Sequence, residues 1–96
     1  MYKKTTSDGD IFYYKDAEMT TRHRIDGPAM EYSDGTKVWY LHGKRHRIDG
    51  PAIEWAYGDK SWCLNGFSLE FQAWKRAVRK YYDNHEDYLL MLLKLD

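Results

Sequence analysis

A chain of 96 residues with 15 basic and 15 acidic side chains makes one small domain without net charge, which counts against a nucleic-acid protein that relies on a general basic surface. Its single cysteine, Cys63, excludes an internal disulfide and a multi-cysteine zinc site. No apolar run is long enough for a membrane helix and Met1–Thr6 offers no signal-like apolar stretch, so a cytoplasmic location with no membrane partner is expected.

Taken in chain order, the first 66 residues are a repeat. Ser7-Asp8-Gly9-Asp10 followed by Phe12-Tyr13-Tyr14 opens it as a degenerate copy. His23–Gly43, HRIDGPAMEYSDGTKVWYLHG, and His46–Gly66, HRIDGPAIEWAYGDKSWCLNG, follow with a period of 23 residues. The first copy stands 26 residues from the second, so three extra residues lie within Lys15–Arg22. Asp-Gly between β-prone runs predicts a β-hairpin with a two-residue type I′ turn. That turn at Asp34-Gly35 sets Met30 opposite Trp39 and Tyr32 opposite Lys37. The same count sets Ile53 opposite Trp62, Trp55 opposite Lys60 and Lys4 opposite Tyr13, although Tyr57 fits a positive φ poorly. One face then repeats an aliphatic–Trp pair, with Leu41 or Leu64 beyond it, and is expected to meet the helices. The other carries Ala29 and Glu31, or Ala52 and Glu54, and is expected to be partly exposed.

After Gly66 the pattern turns helical. Ser68 is a candidate N-cap, and Phe71, Trp74, Val78 and Tyr81 form one apolar stripe, with Lys75, Arg76, Arg79 and Lys80 largely off it. Asp83-Asn84 interrupts, and Asn84 can cap a second helix, apolar nearly all round from Tyr88 to Leu95. Such a helix caps the sheet or forms a homodimer through Leu89–Leu95. The expected fold is therefore α+β: an antiparallel β-hairpin repeat sheet of about three hairpins over residues 1–66, capped by two C-terminal helices over 67–96, in a single domain 1–96.

The segment HRIDGPA, present twice, holds residue types that bind metals, grip phosphates or move protons. Each residue also has a structural use. Gly27 and Gly50 can adopt a sharp turn, Pro28 and Pro51 can begin a strand, and Ile25 and Ile48 can anchor in the core. Asp26 and Asp49 can accept backbone N–H groups or pair with Arg24 and Arg47. Catalysis needs one constellation in one cleft, so duplication favours a scaffold, with no catalytic residue, metal or cofactor. His23 and His46 lack a third ligand, and Cys63 occupies the repeat position of Tyr40 and Tyr14, a sheet-face filler. The densest positive charge is the ladder His42, Lys44, Arg45, His46 and Arg47.

Gly43-Lys44-Arg45-His46, Asp49-Gly50, Gly58, Trp62 and Gly66 on this period resemble the MORN-type repeat, over roughly residues 7–66. The chain departs from that pattern by carrying Arg-Ile-Asp-Gly-Pro after the histidine, where MORN units carry Gly-x-Gly. The style is also similar to small repeat proteins of bacteriophages and bacteria. These resemblances imply stacked β-hairpins that bind and scaffold, without a defined reaction. The expected function is a non-catalytic protein-binding module, in its concrete form a phage-type inhibitor of a host defence protein, in the host cytoplasm. The candidate partner-binding residues are Tyr14, Tyr40, His42, Lys44, Arg45, Arg47, Arg76 and Arg79. The alternative is a binder of an anionic small molecule, a nucleotide or single-stranded nucleic acid along His42–Arg47.

Overall fold

Short β-prone runs separated by glycine turns give the chain ten regular elements in the computed structural model, which describes residues 2–84. In chain order they are β1 (Tyr2–Thr5), β2 (Ile11–Tyr14), β3 (Met30–Glu31), β4 (Lys37–Val38), β5 (Tyr40–Leu41) and β6 (Lys44–Arg45). Then follow β7 (Ile53–Glu54), β8 (Lys60–Leu64), β9 (Phe67–Leu69) and the helix α1 (Phe71–Asn84). Seven strands form one antiparallel meander in the order β1-β2-β3-β4-β7-β8-β9, while β5 and β6 make a separate ribbon between β4 and β7. Among the described residues no helix is long and apolar enough to cross a membrane.

The hairpin turns differ from the two-residue type expected. Gly9, Gly35 and Gly58 donate their N–H groups to the carbonyls of Thr6, Tyr32 and Trp55 at 3.0, 3.0 and 2.9 Å. Thr6, Tyr32 and Trp55 in turn donate to the carbonyls of Asp10, Thr36 and Asp59. Only the glycine of each turn has positive φ, 91°, 100° and 105°. These are three-residue loops, a type I turn closed by a glycine bulge. Asp8, Asp34 and Tyr57 keep negative φ, which is why a tyrosine is tolerated in the last.

The extra loop residue moves every pairing by one. Met30 faces Val38 rather than Trp39, and Glu31 rather than Tyr32 faces Lys37. Ile53 faces Ser61, Glu54 faces Lys60, and Lys4 faces Phe12. Because side chains alternate, this slip parts the expected aliphatic–Trp pairs. Met30, Val38 and Ile53 pack on one face with Phe12, Tyr40 and Trp55. Trp39 and Trp62 belong to the other.

True type I′ turns occur where the sequence reading placed none. His42-Gly43, with φ of 51° and 81°, joins β5 to β6, and Asn65-Gly66, with φ of 50° and 89°, joins β8 to β9. In the first copy the bridge Tyr14↔Arg22 matches the later pair Tyr40↔Arg45, and residues 15–21 replace 41–44. That difference is the three extra residues expected there. The Asp16 carboxylate holds the enlarged loop, accepting the N–H of Thr20 at 3.1 Å, the N–H of Thr21 at 2.9 Å and the Thr20 hydroxyl.

The helix begins later than expected. Ser68 lies in β9 rather than at an N-cap, and the Glu70 carboxylate instead accepts the Gln72 N–H at 2.6 Å. Trp74 and Val78 carry the apolar stripe onto Ile48 and Leu64, with Trp62, Leu69 and Ala77 beside them. α1 extends through Asp83 and Asn84, so one helix, not two, is present among the described residues. The expected second helix and the Leu89–Leu95 dimer seam lie outside them.

The tryptophan face alone meets the helix, and only at its last repeat. Trp62 stacks against Phe71 and Trp74 with ring centroids 4.6 Å away in each case. Trp39, one repeat earlier, lies instead under the guanidinium of Arg47, 3.7 Å from its ring centre. Replacing Trp62 with Ala removes the aromatic seat of the helix and should lower stability by about 3 kcal/mol in urea unfolding. Far-UV circular dichroism should show the helical signal lost ahead of the strand signal.

Candidate functional site

The two HRIDGPA segments fold into the same clamp. Arg47 donates from Nε to Asp49 Oδ1 at 2.8 Å and from one terminal nitrogen to Glu54 Oε2 at 2.9 Å and the Pro51 carbonyl at 3.0 Å. Arg24 repeats this with Asp26 at 3.1 Å, Glu31 at 3.3 Å and Pro28 at 3.2 Å. Its guanidinium lies 4.1 Å from the ring centre of Tyr13, the repeat counterpart of Trp39. Asp26 and Asp49 thus serve the structural turn by pairing with arginine, one of the two uses expected.

The glycines work differently from expectation. Gly27 and Gly50 do not have positive φ. What they provide is space: a Cβ on Gly50 would stand 2.7 Å from Cζ of Arg47, and one on Gly27 3.0 Å from Cζ of Arg24. Glycine lets the backbone pass beneath the guanidinium. The clamps also bury Ala29 and Ala52, both 0% exposed, against the expectation of a partly exposed face.

Ile25 and Ile48 part company. Ile48 is buried under α1, whereas Ile25 is 55% exposed, because the helix reaches only the later joint. The expectation that both anchor in the core holds for Ile48 alone.

Each repeat histidine stabilises the next type I′ turn. His23 Nδ1 accepts the His42 N–H at 2.8 Å, and His46 Nδ1 accepts the Asn65 N–H at 3.0 Å. Both rings are therefore neutral and protonated on Nε2. Among the described residues no group of three or more His, Cys, Asp or Glu is placed to hold a metal. Cys63 is fully buried in β8, with Sγ 3.5 Å from the Ser68 hydroxyl.

The opposite face carries a different arrangement. A groove of about 440 Å³ has Met30, Val38 and Ile53 as its floor and Tyr32, Tyr40 and Trp55 as its walls. Arg22 and Arg45 border it, with Asp34 and Thr36 at the turn end. In Arg22-His23-Arg24 and Arg45-His46-Arg47 the inner arginine closes the clamp and the outer one turns to the groove. The outer backbones are anchored, since Gly43 and Gly66 donate to the carbonyls of Arg22 and Arg45 at 2.8 and 2.9 Å. Their side chains make no ion pair among the described residues, whereas Arg24 and Arg47 make two each. The Arg22 guanidinium lies 5.7 Å from the ring centre of Tyr40. Burial holds the Tyr32 phenol above its ordinary pKa, so it remains a neutral hydrogen-bond donor.

Of the expected partner-binding residues, Tyr40 and Arg45 meet in this groove. Arg47 is engaged in its clamp. His42 stacks on His23 at 4.5 Å between ring centres, with Nδ1 3.3 Å from Lys15 Nζ. Tyr14 is half-buried in the first joint, and Lys44, Arg76 and Arg79 are exposed elsewhere. The ladder His42–Arg47 does not converge on one ligand position. Arg22, Tyr32 and Trp55 are groove residues missed in the sequence, although the repeat offset links Arg22 to Arg45 and Tyr32 to Trp55. Comparison with family models, with curated proteins and with solved structures finds no match.

The turn histidines make stability pH-dependent. Burial lowers the pKa of both His23 and His46 below 6.5, and for His23 the nearby His42 and Lys15 charges add to it. The unfolded chain thus takes up protons first as pH falls, so the stabilisation is complete above 6.5 and is lost on descent through the folded values. Melting temperature should drop between about pH 8 and about pH 5. In the double variant His23→Gln, His46→Gln the drop should shrink.

Proposed function

We propose that this protein is a non-catalytic binding module that holds a protein partner in the groove between Arg22 and Arg45. The observation that carries the reading is the composition of that groove: Tyr32, Tyr40, Trp55 and two arginines without an ion pair among the described residues, gathered over an aliphatic floor. Tyr, Trp and Arg supply most of the binding energy where proteins meet, and a concave apolar seat lets them exclude water. His23 and His46 commit their Nδ1 atoms to turns, and Cys63 is buried in the sheet. The MORN-type resemblance agrees with a binding role. In the phage-style version, the partner is a host defence protein whose working surface the module covers.

Affinity capture from host lysate tests this with paired baits. The wild-type chain should retain a protein that Tyr40→Ala and Trp55→Ala each release, by at least about tenfold, the effect of losing roughly 1.4 kcal/mol at an interface centre. Both baits lose packing on the Met30, Val38 and Ile53 cluster and should melt below wild type while remaining folded at the temperature of capture, checked by circular dichroism. Retention unaffected by either change, but lost in Arg76→Glu or Arg79→Glu, would move the binding surface to α1 and refute the groove.

A further inference from the structure

We infer that the groove takes an acidic segment of its partner, one apolar side chain on the floor between two carboxylates held by Arg22 and Arg45. The inference rests on the binding-module reading and names the chemistry of what that site accepts. Its first support is the contrast between the two arginine pairs. Arg24 and Arg47 are each neutralised by two carboxylates. Arg22 and Arg45 meet none within ion-pair distance among the described residues, although Asp34 lines the same cavity, and both border its aliphatic floor. A guanidinium beside apolar surface gains more from a carboxylate than one in open water, since the local dielectric is lower.

The second support is spacing. Arg22 and Arg45 occupy equivalent positions in successive repeats, each pairing with the strand before it, so two strand spacings, about 10 Å, separate their backbones. Tyr40 stands between them, with Arg22 over its ring and Arg45 paired to its backbone. Alternate residues of an extended chain share one face about 7 Å apart. A segment patterned acid-x-apolar-x-acid therefore presents its central side chain to Met30, Val38 and Ile53, with acids flanking it within reach of the arginines.

A single nucleic-acid strand is the lesser fit. Two cations neutralise few phosphates, and the chain has no net charge to draw a polyanion.

Fluorescence polarisation with a labelled peptide Glu-Gly-Phe-Gly-Glu tests the inference. It should bind at least about tenfold more tightly than Gln-Gly-Phe-Gly-Gln, and Arg22→Gln and Arg45→Gln should each weaken it by about tenfold, as expected for losing a charge-assisted bond. Binding to the wild-type chain should weaken as salt rises, a readout that needs no variant. The double variant Arg22→Glu, Arg45→Glu should come to prefer Lys-Gly-Phe-Gly-Lys. The arginine side chains make no scaffold hydrogen bond among the described residues, so these variants should melt close to wild type. Equal binding of the glutamine peptide, or no binding of the glutamate peptide, overturns the acidic segment. If Trp55→Ala still releases the captured partner, the binding-module reading stands. Tighter binding of a thymidine oligonucleotide than of any peptide overturns both.

Discussion

One guanidinium per repeat organises the structure. Arg47 reaches two carboxylates and a carbonyl while its plane covers the Trp39 ring, tying the joint, the next hairpin and the preceding one to a single group. A half-exposed ion pair of this kind contributes only about 0–1 kcal/mol by itself. The clamp matters because these contacts share one planar donor that cannot satisfy one partner without orienting it for the others. Gly50 is part of the same constraint, since a Cβ there would stand 2.7 Å from the guanidinium carbon and force it to shift. Arg24 and Gly27 reproduce it one repeat earlier, on Tyr13 instead of tryptophan.

From the clamp the remaining repeat contacts follow. It aligns the joint so that His23 and His46 receive the turn N–H groups of His42 and Asn65. The hairpin tips are linked as well, Asp10 accepting the Ser33 N–H and Thr36 the Ala56 N–H, at 2.8 and 3.1 Å. Each repeat touches its neighbour through the same bonds, as in other quasi-one-dimensional arrays, and such arrays need special ends. At the last repeat Trp62 finds no further arginine. Phe71 and Trp74 cover it instead, and the Trp74 indole N–H donates to the Arg47 carbonyl at 2.9 Å. The helix stands in for the missing joint. At the other end, β1 is exposed throughout and carries Lys3 and Lys4, charges that oppose edge-to-edge pairing.

The same geometry leaves the groove. With Trp39 committed to one face, strand alternation delivers Tyr32, Tyr40 and Trp55 to the other, where Arg22 and Arg45 border the same groove. The scaffold uses the backbones of Arg22 and Arg45 and leaves their side chains at the groove rim. The groove and the arginine clamps thus lie on opposite faces, and exposed residues of the groove can change without touching the clamp.

The sequence by itself determined the repeat period, three of the five hairpins, the length of the enlarged first joint, the pairing of Asp26 and Asp49 with Arg24 and Arg47, and the apolar stripe of the helix. All of these are local patterns or direct consequences of repetition. It did not determine the register, because Asp-Gly serves a two-residue and a three-residue loop alike, and one residue of difference reverses the face of every side chain beyond it. The face error hid Tyr32 and Trp55 as groove walls, and the ladder reading grouped Arg45 with Arg47 although Arg47 lies beyond β6 and is held in its clamp. Nor did the sequence separate Ile25 from Ile48, identical in local context, since only the tertiary position of α1 buries one and leaves the other exposed. Register and coverage are decided by which loop conformation and which packing partner win in three dimensions, and neither is written in any single segment.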